Sequence, residues 1–327
     1  MHPLAAAVAA SFEGTLLEQW KHEGFCVLPP GTLCSKAAES YQREISQSFH
    51  TPGRFVPNKV EFLLASGPLQ LVKEHIYECD LHSEASRKGM LAFEELFSYG
   101  LAEIATVLNA RDSTLELTVS PGAAMKEHAT VKLQVNTGGG SFPWHTDNPQ
   151  PPNKRKVTLA VYLTLDWKPE MGGELVLQPF LGKALVIPPA FVTMVLFRSD
   201  VINHRTLPTA KAFHAQATRP RECFTIWFDS EAVNREEDVF LRAKHLTAEW
   251  IPHLMSNNPQ HRSITRAVYE EEYREALIDC FGEGSQQTLV SLKVHDAHLA
   301  PLLRNPALVK FLELLRAQKK SGLRKDL

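Results

Sequence analysis

The chain has 327 residues, enough for one large domain or two small ones, and its charge is nearly balanced, with 35 Lys and Arg against 37 Asp and Glu. This balance gives no indication of a nucleic-acid or membrane partner, and no apolar run approaches the roughly 18 residues that a membrane-spanning helix needs. The five scattered cysteines form no CxxC motif, and the short apolar run 4–10 follows no basic segment, so we expect reduced thiols, no signal peptide and a cytoplasmic or nuclear location.

The N-terminal region, residues 1–115, is predicted to be a mostly helical support. Apolar residues recur at near-helical spacing over 12–20. A short apolar strand then follows at 25–28 and is ended by Pro and Gly. Residues 35–49 return to a helical pattern.

The second half of this region is predicted to continue in the same way. Residues 51–57 contain two Pro and one Gly and therefore predict a loop, which could also form a lid over a cleft. From 69 to 108 the apolar spacing indicates helix again, in two pieces that are broken near 82–86.

Residues 116–235 have a different character, with short segments rich in β-branched residues and separated by Gly, Pro and Asn. Many short strands without helices between them indicate a sandwich or a barrel rather than a parallel α/β sheet. The predicted strands are 116–119, 131–135, 157–165, 175–177, 184–187, 192–197 and 223–228.

The C-terminal region, residues 236–327, is predicted to be helical. Its apolar residues form two stripes that we expect to pack against the β unit. The second helix has a clear start, because Asn305 can cap it and Pro306 fits its first position. These helices could brace the β unit, form a dimer surface or dock a partner, and the oligomeric state stays open.

The tetrapeptide Trp144-His145-Thr146-Asp147 is the main candidate for chemistry. On an extended backbone, residues two apart lie on one face, so His145 and Asp147 would point to the same place. His204, just after an apolar run, is the best candidate for a third ligand. Two His and one carboxylate on one side of a metal are typical of non-haem Fe(II) oxygenases, although the ligand types alone do not exclude zinc.

Strand parity predicts a carboxylate site beside this metal. In 157–165 the odd positions are apolar, whereas the even positions are Thr, Ala and Tyr, as in the wall of a ligand cavity. In the last strand Arg221 shares a face with Thr225 and Trp227. The guanidinium of Arg221 with the hydroxyl of Tyr162 could therefore hold the far end of a dicarboxylate whose near end chelates the metal.

In these motifs the chain resembles a 2-oxoglutarate- and Fe(II)-dependent dioxygenase. The resemblance is greatest to the prolyl 4-hydroxylase group and, within it, to the hypoxia-inducible-factor type. The HxD pair alone is a common motif, but the ordered set over about a hundred residues is specific. The matching segments are HTDNP at 145–149, VYLTLDW at 161–167, GGEL at 172–175, LFRSD at 196–200, His204, and 221–229.

The resemblance implies a double-stranded β-helix (jelly roll) core, mainly β, that is braced by N- and C-terminal helices. It implies that His145, Asp147 and His204 bind Fe(II), that Arg221 pairs with the C5 carboxylate of 2-oxoglutarate, and that Tyr162 is a second contact. It further implies hydroxylation of a prolyl residue in a protein or peptide substrate, release of succinate and CO2, and ascorbate as the reductant of the iron.

Two departures concern the 2-oxoglutarate site. Arg221 follows His204 at a longer distance than the family's basic residue usually does, so Arg205, Lys211 and Arg219 are rivals, although parity favours Arg221. Many relatives also carry a Tyr ten residues before the first His, where this chain has Val135.

A third departure is the glycine-rich loop 136–143, which is either a tight turn or a mobile rim, with the turn favoured. Trp227 is expected near the iron or in simple packing. The other histidines weighed, His128, His214, His253, His261, His295 and His298, have no partner at useful spacing and are expected to be structural. Alternative functions are a related dioxygenase acting on a small molecule or another side chain, and a non-catalytic jelly-roll binding protein.

Overall fold

The computed structural model describes residues 1–64, 67–148, 152–211, 220–233, 242–254 and 261–321. Eleven α-helices lie in these parts of the chain. They are α1 Pro3–Ser11, α2 Gly14–Glu23, α3 Ser35–Phe49, α4 Glu84–Arg87, α5 Leu91–Glu95, α6 Leu101–Arg111, α7 Ile251–Leu254, α8 His261–Val268, α9 Glu270–Phe281, α10 Gln286–Leu303 and α11 Pro306–Ser321. None of these described helices is long and apolar enough to cross a membrane.

Eleven β-strands lie in the same described parts. They are β1 Phe25–Leu28, β2 Val56–Leu64, β3 Gly67–Asp80, β4 Ala129–Asn136, β5 Phe142–His145, β6 Arg155–Tyr162, β7 Leu175–Gln178, β8 Leu185–Ile187, β9 Thr193–Arg198, β10 Asn203–Thr206 and β11 Arg221–Asp229. They form a seven-stranded sheet, in the order β1-β9-β6-β11-β4-β3-β2, and a four-stranded sheet, in the order β5-β10-β7-β8. All strand pairs in both sheets are antiparallel. The predicted fold class, a jelly-roll core with helical flanks, is confirmed.

The two faces of the seven-stranded sheet follow the predicted alternation. Val157, Leu159 and Val161 of β6 are fully buried in the core beneath the N-terminal helices, together with Phe224 and Ile226 of β11. Side chains of the opposite parity point toward the four-stranded sheet. The strand ends at Tyr162; Leu163 still lies in this core, but Leu165, which was predicted on the same face, is 36% exposed.

The prediction of helix over 69–80 was wrong, because these residues lie in strand β3. Strand β3 contains a bulge: Tyr77 pairs with Pro57, but the next pair along the strands is Val72 with Lys59, and His75 has a φ of 63°. The extra residues shift the alternation, so buried positions fall at 71, 73, 76 and 79, with intervals that imitate a helix. The helices predicted after residue 82 are present.

The strand predicted at 116–119 is also absent, since these residues form only an isolated bridge from Leu117 to Ser230. Glu116 has a φ of 44°, which is incompatible with an extended strand. The other six predicted strands of this region are confirmed. Strands β1 to β3, from residues 1–115, join the seven-stranded sheet; the division into three regions stays a prediction, and its boundary at 235/236 lies outside the described residues.

The C-terminal helices pack on the outer side of the four-stranded sheet. Trp144 of β5 and Val176 of β7 share a buried cluster with residues of α8, α9 and α11, including Tyr273 of α9. The Tyr273 hydroxyl of α9 donates to Oδ1 of Asn203 at 2.7 Å. The predicted start of α11 is confirmed, because Oδ1 of Asn305 accepts the backbone N–H groups of the two residues after Pro306. These helices therefore brace the strands that carry His145 and His204.

Candidate active site

The structure brings the three predicted ligands to one point. Strands β5 and β10 place His145 directly opposite His204, and their ring centres are 4.2 Å apart. Oδ1 of Asp147 lies 3.6 Å from Nε2 of His145 and 3.5 Å from Nε2 of His204. Strand β5 ends at His145, so Asp147 reaches this point from the bend that follows and not from the same strand face, as the spacing had suggested.

Hydrogen bonds orient all three side chains. Nδ1 of His145 lies 2.9 Å from the carbonyl of Pro143, and Nδ1 of His204 lies 3.2 Å from the carbonyl of Ile202. With Nδ1–H donating to these carbonyls, each Nε2 presents its lone pair to the shared point. On the far side the Thr158 hydroxyl donates to Oδ2 of Asp147 at 2.8 Å, which leaves Oδ1 directed at the histidines.

The electrostatics of this group suit a metal cation. Burial opposes ionisation of Asp147, but the two neighbouring imidazoles outweigh it and hold the pKa of the carboxyl well below its usual value. Burial and the neighbouring His204 lower the pKa of His145. Neutral imidazole and ionised carboxylate are the forms that bind metals.

Two imidazole nitrogens and one carboxylate oxygen lie within 4.8 Å of one another at His145, Asp147 and His204. Among the described residues this is the one group of three or more His, Cys, Asp or Glu with such geometry. One side of the shared point faces a cavity, so the group could hold Fe(II) and leave coordination positions open.

Among the histidines expected to be structural, His261 and His295 are buried among helices.

The cavity beside these residues has a volume of about 310 Å³ and lies between the two sheets. Its wall includes Thr158, Ala160 and Tyr162 of β6, as the alternation predicted. From β11 it includes Arg221 and Trp227, with the two side chains between them on that face. A cavity of this size accommodates a small dicarboxylate.

Arg221 lies buried at the far end of this cavity. Its Nε donates to the carbonyl of Gly173 at 2.7 Å, and its guanidinium carbon lies 4.9 Å from the ring centre of Tyr162. Burial raises the pKa of the Tyr162 hydroxyl despite the neighbouring guanidinium, so this hydroxyl is a neutral donor. A guanidinium with such a hydroxyl beside it is a suitable anchor for a carboxylate.

The rivals of Arg221 are engaged elsewhere or lie outside the described residues. The guanidinium of Arg205 pairs with Asp279 of α9 at 2.5 Å, on the outer side of the four-stranded sheet. Lys211 is exposed and does not line the cavity. Arg219 lies outside the described residues, as does most of the loop 207–220. Among the described candidates Arg221 is therefore the one that lines the cavity.

Val135 does not face the cavity. It is fully buried in the core on the other side of the sheet. Its neighbour Gln134 lines the cavity instead, opposite Cys223 of β11. The loop that follows is a turn, as favoured: the N–H of Gly140 donates to the carbonyl of Thr137 at 2.9 Å, and Gly139 has a φ of 87°.

Two site features were not predicted from the sequence. The hydrogen bond of Thr158 to Asp147 was missed, although the residue was expected on the cavity face. The role of Gly173 was missed as well: a Cβ there would lie 2.8 Å from Cδ of Arg221, and its φ is 79°. The pair Gly172-Gly173 before strand β7 is visible in the sequence, but its contact with Arg221 is not.

Trp227 lines the cavity, as one of its two expected roles required. Its buried indole N–H has no hydrogen-bond partner among the described residues, and the guanidinium of Arg155 stacks 4.4 Å from its ring. An unsatisfied donor in a cavity wall fits a ligand that supplies an acceptor.

Comparisons with known proteins agree with this geometry. Residues 131–229 match the family model of the 2OG-Fe(II) oxygenase superfamily. A crystal structure of a prolyl 4-hydroxylase from Phytophthora capsici is 31% identical, covers 97% of this chain and 95% of its own, and superposes with a TM-score of 0.76. No curated protein matches the sequence.

Two further structures share 17–18% sequence identity with the chain. A prolyl-4-hydroxylase from Pseudomonas putida is 17% identical, with a TM-score of 0.49 over 68% of this chain and 99% of its own. A Trichoplax adhaerens prolyl hydroxylase, solved with a hypoxia-inducible-factor peptide, is 18% identical, with the same TM-score over 70% of this chain and 91% of its own.

Proposed function

The chain belongs to the 2OG-Fe(II) oxygenase superfamily and is a dioxygenase, and we propose that it hydroxylates a prolyl residue of a protein substrate. The observation that carries the proposal is the meeting of His145, Asp147 and His204 in a cavity that ends at Arg221. The choice of a prolyl substrate is supported by 31% identity to a prolyl 4-hydroxylase over nearly the whole length of both chains.

Fe(II) would be held by Nε2 of His145, Oδ1 of Asp147 and Nε2 of His204. Both imidazoles and the carboxylate are already oriented by hydrogen bonds, so little reorganisation is needed for binding. The side of this group that has no protein donor faces the cavity, where the co-substrate would bind. When bound, iron and 2-oxoglutarate supply the oxidising power by coupling decarboxylation to succinate and CO2 with the reduction of O2.

The residues of β6 and β11 would hold the co-substrate. Arg221 would pair with the C5 carboxylate of 2-oxoglutarate, and the neutral hydroxyl of Tyr162 would donate to the same group. Arg221 is itself held by the carbonyl of Gly173 and has few alternative positions. Arg221 and Tyr162 are both buried, so a carboxylate bound between them would be shielded from solvent.

The direct test uses proline-containing peptides with enzyme that has been loaded with Fe(II) without oxygen and then exposed to air with 2-oxoglutarate. Mass spectrometry should show a mass increase of one oxygen on proline, with an equal amount of succinate formed above the level without peptide. An added oxygen on another residue type, or only on a small molecule, would replace the proposed substrate with one of the alternatives.

The proposal also includes a reductant and a cellular location. Ascorbate is proposed as the reductant that keeps the iron ferrous, and its omission should shorten the period of linear turnover.

The proposed cytoplasmic or nuclear location is supported by five free cysteines, four of which are buried. Imaging of the tagged full chain would test it.

A further inference from the structure

The cavity that contains the catalytic centre is also lined by residues of strands β2, β3 and β4. Asn58, Glu78 and Lys132 line it together with the residues already described. Lys132 lies opposite Thr225 in the sheet, and Thr225 lies opposite Ala160 of β6. With strands spaced about 4.8 Å apart, Lys132 is on the order of 10 Å from β6, the strand that contacts Asp147. This end of the cavity is therefore within reach of a bound polypeptide.

Four side chains form a connected group at this end. Nζ of Lys132 lies 3.3 Å from Oε1 of Glu78, and the other oxygen of Glu78 accepts from the amide of Asn58. Oδ1 of Asn58 accepts in turn from Nζ of Lys73 at 2.7 Å, and this ammonium also lies 4.0 Å from the centre of the Phe142 ring. We call Asn58, Lys73, Glu78 and Lys132 the Lys132 subsite.

The subsite contains two ammonium groups and one carboxylate. At the catalytic centre, a metal dication, a 2-oxoglutarate dianion, Asp147 and Arg221 together balance to zero charge. The positive charge of the subsite is therefore not neutralised by the reaction components. Lys73 is only 7% exposed, and burial lowers the pKa of its ammonium to about 8. A buried cation of this kind is stabilised by a further negative group nearby.

The side chains that face solvent are the ones that could receive such a group. Lys132 is 29% exposed and Glu78 is 23% exposed, so an incoming carboxylate can reach the Lys132 ammonium without the subsite unfolding. An extended peptide advances about 3.3 Å per residue, so 10 Å corresponds to roughly three residues.

We propose that the Lys132 subsite selects a substrate with an acidic side chain within about three residues of the target prolyl residue. This inference rests on the proposed function, because it names the substrate class for the same site. The alternative is purely structural: the Lys132–Glu78 pair could simply attach β3 to β4. The selective role and the structural role predict different effects of substitution on the binding of acidic and basic peptides.

The test measures binding of labelled proline peptides, by fluorescence anisotropy, to oxygen-free enzyme with Fe(II) and 2-oxoglutarate, and hydroxylation of the same peptides in air. Within one parent sequence, Glu, Gln or Lys is placed at each of the three positions on either side of proline. At the best position we expect the Glu peptide to bind about tenfold more tightly than the Lys peptide, with the difference reduced by salt.

The variants separate the subsite from a structural pair. Lys132→Gln should abolish the preference for Glu, Lys132→Glu should reverse it, and Glu78→Gln should strengthen it because both cations remain. Lys21→Gln is the matched control, since Lys21 forms an exposed pair with Glu18 at 3.1 Å on α2 and does not line this cavity. A structural pair alone predicts that Lys132→Gln and Glu78→Gln weaken all peptides equally.

The outcomes distinguish the two levels of the proposal. Hydroxylation of proline peptides with no charge preference, or with a preference that Lys132→Gln leaves intact, would overturn the subsite and leave the proposed function in place. Formation of succinate without hydroxylation of any proline peptide, whatever its charge, would overturn the prolyl assignment and the subsite with it.

Discussion

The two sheets contribute to the site in different ways. The four-stranded sheet carries both histidines on strands of four residues each, and helices behind it hold these strands in place. The seven-stranded sheet carries Arg221 and Tyr162 on strands of nine and eight residues, with a continuous apolar core behind them. One sheet is thus suited to fixing a metal, and the other to fixing a carboxylate about one cavity length away.

The largest expected effects come from removing either the carboxylate-binding side chain of the seven-stranded sheet or a metal ligand of the four-stranded sheet. Arg221→Gln should reduce succinate formation by roughly 100-fold or more, because a buried charge partner of the co-substrate is lost, while Fe(II) still binds. His204→Gln should lose Fe(II) binding while the anchor is unchanged. Iron content after oxygen-free dialysis checks both variants, and the KM for 2-oxoglutarate checks Arg221→Gln. Equal loss of iron in the two variants would contradict separate contributions by the sheets.

Thr158→Val tests a contact between the seven-stranded sheet and the metal ligands, because the Thr158 hydroxyl donates a hydrogen bond to Asp147. Loss of this hydrogen bond should weaken Fe(II) binding by about 10- to 100-fold without changing the anchor. Titration of oxygen-free protein with Fe(II) measures the change. Thr225→Val, on the neighbouring strand and the same cavity wall, is the matched control and should bind Fe(II) as the wild type does.

Asp200 lies in the segment between β9 and β10 and pairs with Arg198 and Lys156, both on strands of the seven-stranded sheet. Burial opposes its ionisation, but Arg198 and Lys156 outweigh it and lower its pKa to about 2. Since an unfolded Asp has a pKa near 3.9, ionised Asp200 stabilises the fold above about pH 4, and this contribution is lost as the pH falls toward 2. Asp200→Asn should lower the free energy of unfolding by about 2 kcal/mol at pH 7.

Urea unfolding of the wild type and Asp200→Asn at several pH values would measure this contribution. The difference between the two proteins should shrink between pH 4 and pH 2. A difference that is independent of pH over this range would show that lost packing, and not the charge, is the cause.

The smallest expected effect concerns the helical brace of the four-stranded sheet. Tyr273→Phe removes the hydrogen bond to Asn203 and should lower the free energy of unfolding by about 1 kcal/mol. Thermal unfolding would detect this, with Arg274→Gln as the control, because Arg274 and Asp296 form an exposed pair whose loss should change stability by less than about 0.5 kcal/mol. An equal shift in both variants would argue against a specific brace.

The sequence predicted the site best where the alternation of a strand is uninterrupted. In β6 and β11 every second residue faces the cavity, so Tyr162 and Arg221 could be placed from parity alone. His204 was predicted as the third ligand from its position after an apolar run, and the resemblance supplied the order of the motifs around it.

The parts that could not be predicted depend on the tertiary structure. The bulge in β3 gives its apolar residues helical intervals, and with that strand the cavity end at Glu78 was missed. Gly173 is needed because the side chain of Arg221 packs against it, which no local pattern shows. Val135 occupies the expected distance from His145, but its parity turns it into the core.

The most direct test of the central claim is succinate formation by protein that is loaded with Fe(II) without oxygen and then exposed to air with 2-oxoglutarate and ascorbate, beside Asp147→Ala. Many enzymes of this superfamily decarboxylate slowly without their substrate, and the wild type should do so. Asp147→Ala should form no succinate while keeping its fold by circular dichroism. Equal succinate from both proteins would contradict the assignment of the metal centre to His145, Asp147 and His204.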